Sequence, residues 1–183
     1  MFIKRLTLVF VFVFLLFSEG FSQNSIMLTK LQSSETPVRL KTLKAKVRVY
    51  GYLSETSVWM EFFNPNSRTL EGELSFPLPE GAMLAGYALD VGGDLIDGVA
   101  VEKQKAREVF ETEVRRGVDP GLIEKVKGNN FKTRVYPLSP RQSRKVKVVF
   151  TQDLSESDGE AVYRFPMQFS EKIDEFSLRL EVV

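Results

Sequence analysis

The chain has 183 residues, 43% of them hydrophobic, with 25 basic and 24 acidic side chains and neither cysteine nor histidine. A net charge of +1 argues against nucleic acid as a partner, which would call for a basic domain or stripe. The missing residue types exclude disulfides, Cys/His zinc sites, thiol nucleophiles, the Ser-His-Asp triad and any imidazole base within this chain.

Residues 1–22 read as a signal peptide. Lys4 and Arg5 are the positive start, Leu6–Phe17 is apolar except for Thr7, and Gly20 and Ser22 are the small residues before a cut after Ser22. A 12-residue apolar run is short against the ~20 residues that span a bilayer. Membrane contact is therefore expected only through an uncleaved signal segment, if at all. No cysteine follows, so a lipoprotein is excluded; an exported chain without cysteine suits a bacterial source. The mature chain loses Lys4, Arg5 and Glu19 and becomes neutral. Expected localisation is periplasmic, cell-surface or secreted.

Residues 23–39 read as a loose polar leader, and residues 40–183 as one domain. Leu43–Leu53 alternates, with Ala45, Val47 and Val49 against Lys44, Lys46 and Arg48, and Gly51 reads as a bulge. Ser57–Phe63 and Leu70–Phe76 are two further strands. Asn64-Pro65-Asn66 between them reads as a turn that makes a hairpin of the pair. Pro77 and Pro79 end sheet pairing. Met83–Val91 and Asp94–Val101 form the next hairpin about Gly92-Gly93. Phe131–Leu138, Lys145–Thr151, Ala161–Met167 and Phe176–Val183 follow as alternating segments. The sequence stops on Glu181-Val182-Val183 within a strand pattern, which reads as a piece of a longer protein.

Residues 102–116 break the pattern. Ala106, Val109, Phe110 and Val114 recur at helical spacing, Glu111 and Arg115 stand four apart, and Gly117 follows a basic last turn. The whole is expected to be mainly β: an antiparallel sandwich of about eight to ten strands with one α-helix.

Gly98, Val101, Glu102, Lys103, Ala106, Phe110 and Glu111 together resemble the VIT domain (vault protein, inter-alpha-trypsin). Phe76-Pro77-Leu78-Pro79, Ala82, Leu122-Ile123-Glu124, Asn130-Phe131 and Val146–Phe150 agree in order and spacing. The family usually carries Tyr where this chain has Phe110. The resemblance runs from about Leu40 to the end. It implies a β-sandwich, a neighbouring von Willebrand A domain as partner, a role in surface adhesion or complex assembly, and no catalytic residues or cofactor.

Asp153, Ser155 and Ser157 spell D-x-S-x-S, the cation-binding string of von Willebrand A domains, with oxygen ligands that suit Mg²⁺. The following residues read as strands and number too few for a doubly wound domain, so the string is read as part of a polar hairpin loop. Carboxylate pairs such as Asp90 with Asp94, Asp94 with Asp97 and Glu108 with Glu111 would serve a hydrolase only across a cleft. Basic residues outnumber acids across 115–147. Arg134, Arg141, Arg144, Lys145 and Lys147 are the expected contacts if that side holds a polyanion, a carbohydrate or a partner. Trp59, Phe62 and Phe63 read as core or as an aromatic platform.

Overall fold

The computed structural model describes residues 27–30, 36–101, 122–126, 129–157, 159–165, 169 and 172–183. The expected signal segment and the helix expected over 102–116 lie outside these residues.

Two sheets form the domain. The first holds β1 (Met27–Lys30), β4 (Leu70–Pro77), β9 (Asn130–Leu138), β8 (Leu122–Val126) and β7 (Val99–Val101), in that spatial order. The second runs β13 (Glu175–Val182), β2 (Arg39–Tyr50), β3 (Leu53–Phe63), β10 (Ser143–Asp153), β5 (Met83–Val91), β6 (Asp94–Asp97). A small hairpin of β11 (Ser155–Ser157) and β12 (Glu160–Val162) stands apart. The domain is mainly β, as expected, and the strand count exceeds the expected range because several strands are only three or four residues long.

Alternation builds the core. Val58, Met60 and Phe62 of β3 meet Val146, Val148 and Phe150 of β10 on one face, and all six are almost wholly buried. Leu74 and Phe76 of β4 and Phe131 and Val135 of β9 come from the other sheet into the same cluster. Each large side chain taken from water in this way contributes about 1.5–3 kcal/mol. Phe76 and Phe150 touch across the layers, ring centroids 6.4 Å apart. A bulge between Leu40 and Thr42 lets both Leu40 and Leu43 face inward. One polar bond also joins the sheets in the interior, between Tyr87 Oη of β5 and Thr133 Oγ1 of β9 at 2.9 Å.

The structure corrects three sequence expectations. β3 and β4 are not a hairpin: they lie in different sheets, and β4 pairs with β1 and β9 instead. The connection is held by Asn64, whose side-chain amide ties down carbonyls of the turn and of the end of β9. Gly51 is not a bulge. At φ 60° it sits in the tight turn where Tyr50 pairs with Leu53, a backbone conformation glycine adopts without steric cost. The expected strand 94–101 is split at Gly98. Its first half pairs with β5 and its second with β8, so the chain changes sheets there.

Part of the segment read as a leader is also built in. Met27–Lys30 pairs with Gly72–Ser75, Val38 is buried, and Thr36 exchanges two hydrogen bonds with Asn66.

Candidate interaction surface

Strand β13 runs parallel to β2, with Phe176 beside Leu43, Leu178 beside Ala45, Leu180 beside Val47 and Val182 beside Val49. Those four β2 residues are buried. Side chains in register on adjacent strands share a face, so the apolar side of β13 continues the core face of its sheet. It is nonetheless open to solvent: Leu180 is 57% exposed and Val182 77%. Phe176 has a partial cover in Phe169, ring centroids 6.1 Å apart. The strip lies at the rim of the larger sheet.

The opposite side of the same strand carries charge. Glu181 receives Lys46 Nζ at 3.1 Å, Arg48 Nε at 3.2 Å and Arg179 Nε at 2.8 Å. Lys46 and Arg179 are register partners, so the carboxylate also relieves two cations placed side by side. Hydrogen bonding from Lys46, with the charge of Lys46 and Arg179, holds the Glu181 carboxyl below the ordinary glutamate range. Lys44 pairs with Glu175 at 2.7 Å, and Arg39 grips Asp174 through both carboxylate oxygens at 2.9 Å. These pairs fasten β13 to β2 along its length.

A depressed carboxylate stabilises the fold above its unfolded pKa, and that contribution disappears as pH falls through the lower folded value. Acid therefore loosens the attachment of β13. Thermal melts of the native chain and of Glu181→Gln are expected to differ at about pH 6 and to converge by about pH 3. A difference that persists unchanged in acid would remove Glu181 from this role.

The basic residues singled out in the sequence are placed on several surfaces. Lys145 and Lys147 share the outer face of the larger sheet, next to Glu61 and Trp59 of β3 in register. Lys147 Nζ lies 5.4 Å from the Trp59 ring centroid, a cation–π contact. Arg134 projects from the outer face of the other sheet, where it pairs with Glu71 at 3.7 Å. Arg141 sits in the β9–β10 turn at φ 56°. Arg144 directs Nη1 to the Pro137 carbonyl at 3.0 Å. The structure thus brings Lys145 and Lys147 together and sets Arg134 across the sandwich from them.

Phe62 belongs to the core, while Trp59 and Phe63 are half-buried on the outer face. Asp153 closes β10, Leu154 turns into a smaller buried cluster with Val47 and Val49, and Ser155–Ser157 is taken up by pairing with β12. Asp90 accepts a hydrogen bond from Gly93 N in the β5–β6 turn, and Asp94 and Asp97 stand exposed on β6. Among the described residues no group of three or more acidic side chains is placed to hold a metal ion.

Comparison with known proteins decides the family. The model of the vault protein inter-alpha-trypsin domain matches residues 40–150, from the start of β2 almost to the end of β10. The chain belongs to the VIT family. Similar curated proteins share this region at low identity. Mouse protein mono-ADP-ribosyltransferase PARP4 is 26% identical over 73% of this chain and 7% of its own length. A von Willebrand factor A domain-containing protein of Dictyostelium discoideum is 27% identical over 60% of this chain and 12% of its own. Human von Willebrand factor A domain-containing protein 5A is 26% identical over 71% and 17%. The VIT chain thus spans under a fifth of the length of these relatives. Its β13 strip lies beyond the matched residues. The alternation of Phe176–Val183 is legible in the sequence, and its place beside β2 is not.

Proposed function

We propose that this VIT domain is a non-enzymatic protein-interaction module. The observation that carries the reading is the family match over the sandwich, shared with relatives that are named for different things. Two are named for von Willebrand factor A domains and one for mono-ADP-ribosyl transfer. What they have in common with this chain is the VIT region, a small part of each. A part shared among proteins of different activity is better suited to holding a partner than to one reaction. The open apolar strip on β13 supports the same reading, since contiguous exposed apolar surface marks contact sites.

On this proposal the domain is the N-terminal part of a longer exported protein with a von Willebrand A domain, acting in surface adhesion or complex assembly. Titration calorimetry of the purified chain against a von Willebrand A domain from the same source tests it. Saturable one-to-one heat is expected; absence of heat across a range of temperatures would overturn the pairing.

Export has its own test. Expressed in its source cell, the chain is expected outside the cytoplasm and to begin at Gln23 on N-terminal sequencing, with the apolar run removed. A protein that keeps Met1 and stays in the cytoplasm would contradict export.

A further inference from the structure

Charges on the outer face of the larger sheet fall into two groups. On β2, Arg39 pairs with Asp174, Lys41 with Glu61, Lys44 with Glu175, and Lys46 and Arg48 with Glu181. On β3 and β10, Lys145, Lys147, Glu55 and Asp153 form no ion pair among the described residues. The opposite charges nearest to them are already engaged. Glu61, beside Lys145 in register, is held by Lys41 and Ser143. Arg48, beside Glu55 in register, turns to Glu181. Asp90 of β5 accepts Gly93 N. Lys147 rests over the Trp59 ring.

The four charges are ordered along the strands. Lys145 and Lys147 stand in the first half of β10, and Asp153 closes it. Glu55 of β3 is the register partner of Thr151, near the same far end. Val149 lies midway between Lys145 and Asp153, and its register partners are Ser57 and Gly86. The middle row of the face is thus made of small side chains, with a basic end on one side and an acidic end on the other.

Such a face is its own complement. A second copy can be laid face to face, turned about a two-fold axis that crosses the strands at Val149. Its β10 then runs antiparallel over the first. Lys145 faces Asp153 of the second copy, Lys147 faces the Thr151–Glu55 row of the second copy, and each contact is made twice. Met83, 67% exposed and in register with Thr151, comes over Ala88 of the second copy, a small residue in register with Lys147. The low row of Ser57, Val149 and Gly86 lets the two faces meet.

We propose that the outer face of β3, β10 and β5 is a self-association surface on which two copies of this chain stack with β10 antiparallel to β10. Three strands about 4.8 Å apart and nine residues long cover roughly 400 Å² per copy. That is about half the area each partner gives to an interface of standard size. The dimer is therefore weak and salt-sensitive, forming at about 10–100 μM. The proposal does not rest on the reading of the domain as a module for other proteins.

Sedimentation equilibrium of the full chain tests it. A reversible dimer is expected in about 0.02 M salt, at least tenfold weaker in about 0.5 M. Lys145→Glu and Asp153→Lys should each weaken the dimer at least tenfold, because each sets like charges together twice. An equimolar mixture of the two variants should recover it, since the two reversals then face each other and one native pair is kept. Both residues are exposed, so the fold should persist. Should either variant melt early, cross-linking takes its place. The chain has no cysteine, so a bismaleimide that bridges the roughly 10 Å between stacked sheets should join Val149→Cys copies. It should leave Ser75→Cys copies, labelled on the other sheet, unjoined.

A chain that stays monomeric at about 1 mM, far above the expected range, would overturn the proposal. So would a dimer indifferent to the reversals, as an apolar contact through residues 6–17 would be, or a mixture that fails to recover. A monomer whose Lys145→Glu variant loses affinity for a von Willebrand A domain would assign the face to that domain and overturn self-association, with the interaction module left standing.

Discussion

Asn64→Ala is expected to destabilise the domain by roughly 3 kcal/mol, the sum of lost hydrogen bonds and of carbonyls left without a donor. Asn64 has no exposed surface. Its Nδ2 donates to Leu138 O at 2.8 Å, Arg68 O at 2.9 Å and Ser139 O at 3.2 Å. Its Oδ1 accepts from Asn66 N at 2.9 Å and Asn66 Nδ2 at 3.0 Å. Alanine removes both ends of this arrangement where water has little access. Asn64→Asp is expected to do at least as much damage, since a carboxylate keeps the acceptor and turns lone pairs on carbonyl oxygens. Urea unfolding followed by Trp59 fluorescence measures both. A loss under about 0.5 kcal/mol for either variant would show that the amide does not hold the turn.

Phe150→Ala should cost still more, about 4 kcal/mol, from lost burial and the cavity that remains. Phe150 is 1% exposed and meets Phe76 of the opposite sheet. Its removal takes away contact between layers as well as area. For a domain of this size the melting temperature should fall by about 10 °C. Phe150→Leu retains most of the volume and should cost about 1.5 kcal/mol. Calorimetry of both separates cavity from contact; equal melting temperatures for the two would mean that the site collapses around either residue.

Much of the strand layout was legible in the sequence because burial on one face imposes a period of two. Met83–Val91 was read with the bounds it has in the structure. Alternation tells which side of a strand is wet, however, and not which strand lies beside it. Leu70–Phe76 looked like the return arm of a hairpin for that reason. The side-chain amide of Asn64, reaching Leu138 far along the chain, sends the strand to the other sheet, and turn composition does not reveal such a partner. The same limit applies to surfaces. Arg134 and Lys145 are close in sequence, yet the β9–β10 turn and strand alternation put them on opposite outer faces. The apolar positions of 176–182 were visible as a pattern. Their neighbour, a parallel strand near the start of the domain, was not, because parallel pairing leaves no local turn to mark it.

That parallel pairing bears on how the protein is made. Arg48 and Glu181 touch across 133 residues. A ribosome adding about 5–20 residues per second needs roughly 7 to 27 s to cover that distance. During this interval the flank of β2 that will receive β13 is bare, with Leu43, Ala45 and Val47 in a 12-residue stretch rich in β-branched and apolar positions. Nascent chains in this window carry a sticky ribbon whose natural cover is still unmade, so chaperone shielding during translation is expected to raise the yield of intact protein.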